Sequence, residues 1–164
     1  MEIAPAELIP DILEEDEAFA RAIFTPYHLK SNGRDVKPNA FRSVGGVSVN
    51  RTKFCTGFFC KRKAKTIERL DANPPKIYKG FAVVTLIELS RAGGVVRSSK
   101  QADDSAHADI YYLDKNGYEY GQPQSAEVNS IIDAFISHIK YFADPNSGSN
   151  TWEGEVFWTF RVLP

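Results

Sequence analysis

Residues 78–112 read YKGFAVVTLIELSRAGGVVRSSKQADDSAHADIYY, and the order of elements in this stretch decides the fold class. Phe81 to Val84 is a short unbroken apolar run, the pattern of a strand covered on both faces. Thr85 and Glu88 stand three apart, so a hydroxyl and a carboxylate can satisfy each other's free backbone N–H groups, and a helix is expected from Leu86. Gly93 and Gly94 end it, and Val95 and Val96 resume an extended pattern. So short a link between two strands suits strands that are not immediate neighbours, because a parallel crossover takes a dozen or more residues. In the third strand Ala108, Ile110 and Tyr112 alternate with His107, Asp109 and Tyr111, which places His107 and Asp109 on one face.

The rest of the chain supports one domain. At 164 residues with 43% hydrophobic and 12% aromatic content it can bury an ample core. No apolar run approaches the length of a membrane span, and the N-terminus is acidic, so the expected location is the cytoplasm. Residues 1–12 are expected to be loosely held. Residues 16–24 suggest a helix capped by Asp16, with Phe19, Ala20 and Ile23 on its inner face and Pro26 as its stop. The segment 27–39 is a loop by composition; it is either a solvated connection or a binding loop carrying His28, Lys30 and Arg34. Another helix is expected from near Phe58 to Leu70.

After the Asn73-Pro74-Pro75 break and the central stretch comes a turn-rich connection containing Asn116-Gly117, Gly121 and Pro123. Ser125 then caps a long C-terminal helix in which Val128, Ile132, Phe135, Ile136, Ile139 and Phe142 repeat at helical spacing. Residues 155–163 alternate as a terminal strand, with Val156, Trp158 and Phe160 on one side. The fold class is α+β: a mixed central sheet of about five strands with three or four helices, the long C-terminal helix packed on one face.

Three features bear on chemistry. Arg42 and Arg51 flank Gly45-Gly46, an arrangement that can offer guanidinium forks and backbone N–H groups to a phosphate or carboxylate; a plain hairpin with surface arginines looks the same. Residues 51–65 hold Lys61, Arg62, Lys63 and Lys65 with no acid, while residues 1–20 hold seven carboxylates and no Lys or Arg. This basic run suits contact with nucleic acid or an acidic protein, and equally a solvated helix beside the acidic N-terminus. Cys55 and Cys60 lack the further ligands a zinc site needs, so no metal or other cofactor is expected, and in a reducing compartment both thiols remain free.

Asn32-Gly33-Arg34, the AFR of residues 40–42, the VSVNR of 47–51 and the AHADI of 106–110 together resemble a group of small bacterial proteins that share such segments. The similarity spans roughly residues 20–112 and carries no activity with it. It implies that the arginines beside Gly45-Gly46 and the histidine of the third strand serve one site, with the basic segment outside the pattern. The expectation is an anion-binding domain for a phosphate-bearing or nucleotide-like molecule, with Arg42, Arg51 and Tyr111 holding the ligand. His107, oriented by Asp109, would act as general acid or base. The competing expectation is a nucleic-acid or protein interaction module built on Lys61, Arg62, Lys63 and Lys65, without catalysis.

Overall fold

The computed structural model describes residues 1–120 and 125–161. Six strands form one open, wholly antiparallel sheet: β1 (Ala18–Thr25), β2 (Val47–Arg51), β3 (Ile77–Thr85), β4 (Gly94–Ser98), β5 (His107–Tyr112) and β6 (Lys140–Ala143), in the order β4-β5-β2-β1-β3-β6. Among the described residues three α-helices complete it: α1 (Gly57–Ile67), α2 (Leu86–Ala92) and α3 (Ala126–Ile136). The fold class is α+β as expected, with six antiparallel strands in place of a mixed sheet of about five.

The central stretch folds as its local signals dictate. The Thr85 hydroxyl accepts from the Glu88 N–H while the Glu88 carboxylate accepts from the Thr85 N–H, and Gly93 ends α2 in the left-handed conformation. The strands on either side of α2 are far apart, β3 deep in the sheet and β4 at its edge.

Both faces of the sheet are covered. On one, α2, α3 and a short 3-10 turn at Pro38–Phe41 enclose Phe19, Ile23, Val47, Val49, Ala108, Ile110 and Phe135. On the other, α1 and the C-terminal segment enclose Ala20, Phe24, Cys60, Tyr78 and Phe81. The N-terminal residues are tied to this second layer: Ala4 N–H donates to Phe54 O, and Ala4 and Ile9 are buried.

Three expectations are corrected. Residues 18–25 form β1, not a helix. The i,i+4 pairs Phe19/Ile23 and Ala20/Phe24 satisfy a period of two as well as 3.6, and a central strand buried on both faces is apolar throughout. The long C-terminal helix is replaced by α3, which stops at Ile136, and by β6. Residues 139–142 follow period two, with Ile139 and Tyr141 packing on one core and Phe142 against the Phe157 ring on the other side, 4.3 Å between ring centres. Residues 155–161 are not a strand; Phe157 and Trp158 are neighbours that both pack on Phe81, at ring separations of 6.2 and 5.3 Å. Gly121 and Pro123, expected in a turn, and Val162 and Leu163, expected in a strand, lie outside the described residues.

Candidate functional site

Strands β2 and β5 pair with Ser48 opposite Asp109 and Asn50 opposite His107. Their alternation sends Val47, Val49, Ala108 and Ile110 into the core and turns Ser48, Asn50, His107 and Asp109 toward α1. The diglycine turn does press on the histidine strand. A Cβ added at Gly46, whose φ is +105°, would lie 2.9 Å from Asp109 Cβ and 3.1 Å from the Tyr111 ring. Tyr111 lies under the Arg97 guanidinium, 4.9 Å from ring centre.

Pairing between β1 and β2 is confined to Phe19 with Arg51 and Ala20 with Asn50. Where the two strands part, the Arg21 guanidinium fills the seam, donating to Ala40 O and Ser48 O, each at 3.0 Å. Over that seam, under α1, lies a cleft of about 220 Å³ whose polar lining includes Ser48, Asn50, Lys63, Gln101, Asp104 and His107. Asp104 is buried and both its carboxylate oxygens accept from Asn50 Nδ2, at 3.0 and 2.8 Å. Burial pushes its carboxyl above the usual range, with the Asn50 hydrogen bond opposing the shift. His107 Nδ1 is held by Ser99, whose hydroxyl is 2.7 Å and whose carbonyl is 3.1 Å away. Its Nε2 stands 3.9 Å from Asp109 Oδ1, beyond hydrogen-bond reach.

The two arginines lie elsewhere. Arg51 is fully buried, with Nε and Nη2 on the Glu17 carboxylate, Nη1 on Pro10 O at 2.6 Å, and its plane 4.7 Å from the Phe54 ring centre. No face of it is open to a ligand. Arg42 donates through Nη2 to Asn129 on α3, across the sheet from the cleft. His107, Asp109 and Tyr111 therefore share the cleft side with the diglycine turn, whereas Arg42 and Arg51 do not converge with them.

The basic segment is compensated. Lys61 is buried against Asp144 at 2.8 Å and also donates to Asn146 O and Thr151 O. Lys63 pairs with Asp103 at 2.7 Å, Arg62 with Glu2 at 2.8 Å, and Lys65 with Glu68 at 3.1 Å. These cations hold the chain's own acids and carbonyls.

A different group of cations has no such partners. Three segments meet at one end of β1: the turn after it, the 3-10 turn at Pro38–Phe41, and the run from Arg69 to Lys76, whose backbones bond each other twice at 2.9 Å. They enclose a cavity of about 290 Å³ lined by Tyr27, His28, Asn39, Arg42, Arg69 and Lys76. Lys37, whose Nζ donates to Pro26 O, and Arg21 stand near it. Among the described residues none of Arg21, Lys37, Arg42, Arg69 and Lys76 makes an ion pair. Arg42 Nε is buried with no hydrogen-bond partner.

The crowding shows in the titrating groups. Burial, then Arg21 and Arg69, lower the Lys76 ammonium below the ordinary lysine range. Burial, with Arg21 and Lys76 next, pulls His28 down to about 3, so its Nδ1 stays a neutral acceptor for the Phe24 N–H at 3.2 Å.

Of this cavity the sequence marks Arg42 as a ligand-holding residue and His28 as part of a candidate binding loop. Nothing local in the sequence marks Arg69 and Lys76, which stand on either side of a proline break, and only the turn between them brings them to Arg42. Among the described residues no three His, Cys, Asp or Glu side chains converge as metal ligands, and no helix is long and apolar enough to cross a membrane. Comparisons with protein families, curated proteins and solved structures give no match to the chain.

Proposed function

We propose that the protein binds a small phosphate-bearing anion in the cavity between Arg42, Arg69 and Lys76. One observation carries this reading: Arg42, Arg69 and Lys76 line one cavity with, among the described residues, no carboxylate paired to any of them, while the basic run of α1 is matched acid for acid. Like charges held together in a partly dry site oppose each other, and an incoming anion relieves that repulsion. The guanidinium forks of Arg42 and Arg69 suit the paired oxygens of a phosphoryl group, and Lys76 supplies a point charge. A site of this kind needs no catalysis; His107 lines a separate cleft. Two free cysteines, Cys55 and Cys60, fit a reducing compartment such as the cytoplasm.

Calorimetric titration with inorganic phosphate and pyrophosphate at low ionic strength tests the reading. Saturable binding is expected, weakening as salt rises. Arg69→Gln and Lys76→Gln should each reduce affinity roughly 10- to 100-fold, the value of one charge-assisted hydrogen bond. Absence of saturable binding by either anion, or affinity unchanged in the double variant, overturns it.

A further inference from the structure

Cys55 and Cys60 are the chain's two cysteines, and the fold brings them together in the core layer that α1 covers. Cys55 stands just before Thr56, the cap of α1, and Cys60 lies in the first turn of that helix. Their sulfurs are 3.4 Å apart, and the two residues are 0% and 2% exposed. A disulfide spans about 2.05 Å, so an approach of about 1.4 Å joins them.

The two thiols differ in access. Cys60 lines the cleft under α1, together with Lys63, Asp104 and His107, and a hollow of about 220 Å³ has room for several molecules the size of water. Cys55 is fully covered, its thiol donating to Arg51 O at 3.3 Å. Burial, then the contact with Cys55, raises the Cys60 thiol above its ordinary range; Asp104 adds to the rise and Lys63 opposes it. The thiolate is therefore scarce at neutral pH and its oxidation slow. Proximity acts in the other direction. An oxidised Cys60 has a second thiol already in contact, which favours a disulfide over further oxidation of the same sulfur.

We infer that Cys55 and Cys60 form a peroxide-oxidisable pair that closes to an intramolecular disulfide, with Cys60 attacked first and Cys55 as the resolving thiol. The Cys60 sulfur takes one oxygen of hydrogen peroxide as the O–O bond breaks, giving a sulfenic acid and one water. The Cys55 sulfur then displaces the sulfenic hydroxyl as a second water and forms the S–S bond. Two thiols and one peroxide thus yield one disulfide and two waters, the peroxide accepting both electrons. A dithiol reductant restores the thiols by exchange. The bond ties α1 to the segment that anchors the N-terminal residues, where Ala4 N–H donates to Phe54 O and Thr56 N–H to Glu2 O. Because Lys63, Ala64, Thr66 and Ile67 of α1 wall the cleft, oxidation fixes that wall in place.

The reduced chain, exposed to hydrogen peroxide, alkylated under denaturing conditions and weighed intact, tests the inference. Both alkylatable thiols should be lost together, with the mass of two hydrogens and no dimer, and dithiothreitol should restore them. In Cys55→Ser, Cys60 should stop at a sulfenic acid that dimedone traps. In Cys60→Ser, the covered Cys55 thiol should outlast Cys60 of the first variant under the same exposure. Both thiols intact in the folded wild-type chain after an exposure that oxidises the urea-unfolded chain overturns the inference. So does sulfinic acid at Cys60 with Cys55 still free, a disulfide formed between chains, or Cys55 oxidised as fast in Cys60→Ser as Cys60 in Cys55→Ser.

Discussion

Replacing Glu17 by alanine should destabilise the fold more than any change at the cavity rim. Glu17 and Arg51 are 1% and 0% exposed, and the carboxylate takes both Nε and Nη2 of the guanidinium. Without Glu17 the Arg51 cation is left buried, with Pro10 O and the Phe54 ring as its remaining partners. Stranding one charge of a buried pair costs about 3–5 kcal/mol, and at roughly 2–4 °C per kcal/mol for a domain of this size the melting temperature should fall by roughly 6–20 °C. Urea unfolding followed by circular dichroism measures the loss. The surface pair Lys53–Glu14 is the control, since Glu14→Ala should cost about 1 kcal/mol or less. Glu17→Leu with Arg51→Met should recover most of the stability, because an apolar pair of similar volume avoids the desolvation of both charges. A Glu17→Ala loss no greater than that of Glu14→Ala would refute the assignment of Arg51 to the core and reopen it as a ligand group.

Three further outcomes follow from the geometry. His28 holds its proton only below about 3 in the folded chain, against 6.5 ordinarily, so between those values the unfolded chain binds the extra proton. Its contribution is therefore complete above pH 6.5 and declines as pH falls, by about 2–3 kcal/mol at pH 4.5; His28→Asn should flatten that part of the urea midpoint against pH, and an identical slope in the variant would contradict it. Lys61→Met leaves Asp144 buried with Tyr78 Oη as a neutral donor and should cost about 3–5 kcal/mol. In hydrogen exchange it should also deprotect residues 146–151, which Lys61 anchors; unchanged protection there would be evidence against the anchor. Gly46→Ala forces a side chain into a left-handed conformation against Asp109 and Tyr111 and should lower stability by about 1–3 kcal/mol in thermal melts, a neutral result contradicting that packing.

The central stretch was legible because its signals are local. The Thr85/Glu88 capping box, the Gly93 stop and the alternation of residues 107–112 act within a few residues and need no partner from elsewhere. β1 resembles a helix in sequence because spacing of four is common to helix and strand, and only its place between β2 and β3 decides between them. The C-terminal aromatics alternate like a strand, yet their side chains pack as a cover on Phe81. For the site, residue type carried the chemistry and not the address. Arg51 looks like Arg42 in sequence, but Glu17 claims it for the core; Lys61 looks like Lys76, but Asp144 neutralises it. The cavity joins residues from three separate segments, and no local pattern announces such a meeting.

The ammonium of Lys76 reports most directly on the cationic cavity. Its protonation can be followed by the pH dependence of its side-chain Cε and Nζ chemical shifts, in buffer without phosphate and again with it. The account predicts a midpoint below the ordinary lysine range in the first case, because burial, Arg21 and Arg69 disfavour the charge, and a rise toward or above that range when the anion binds. An ordinary midpoint that does not respond to phosphate would contradict it.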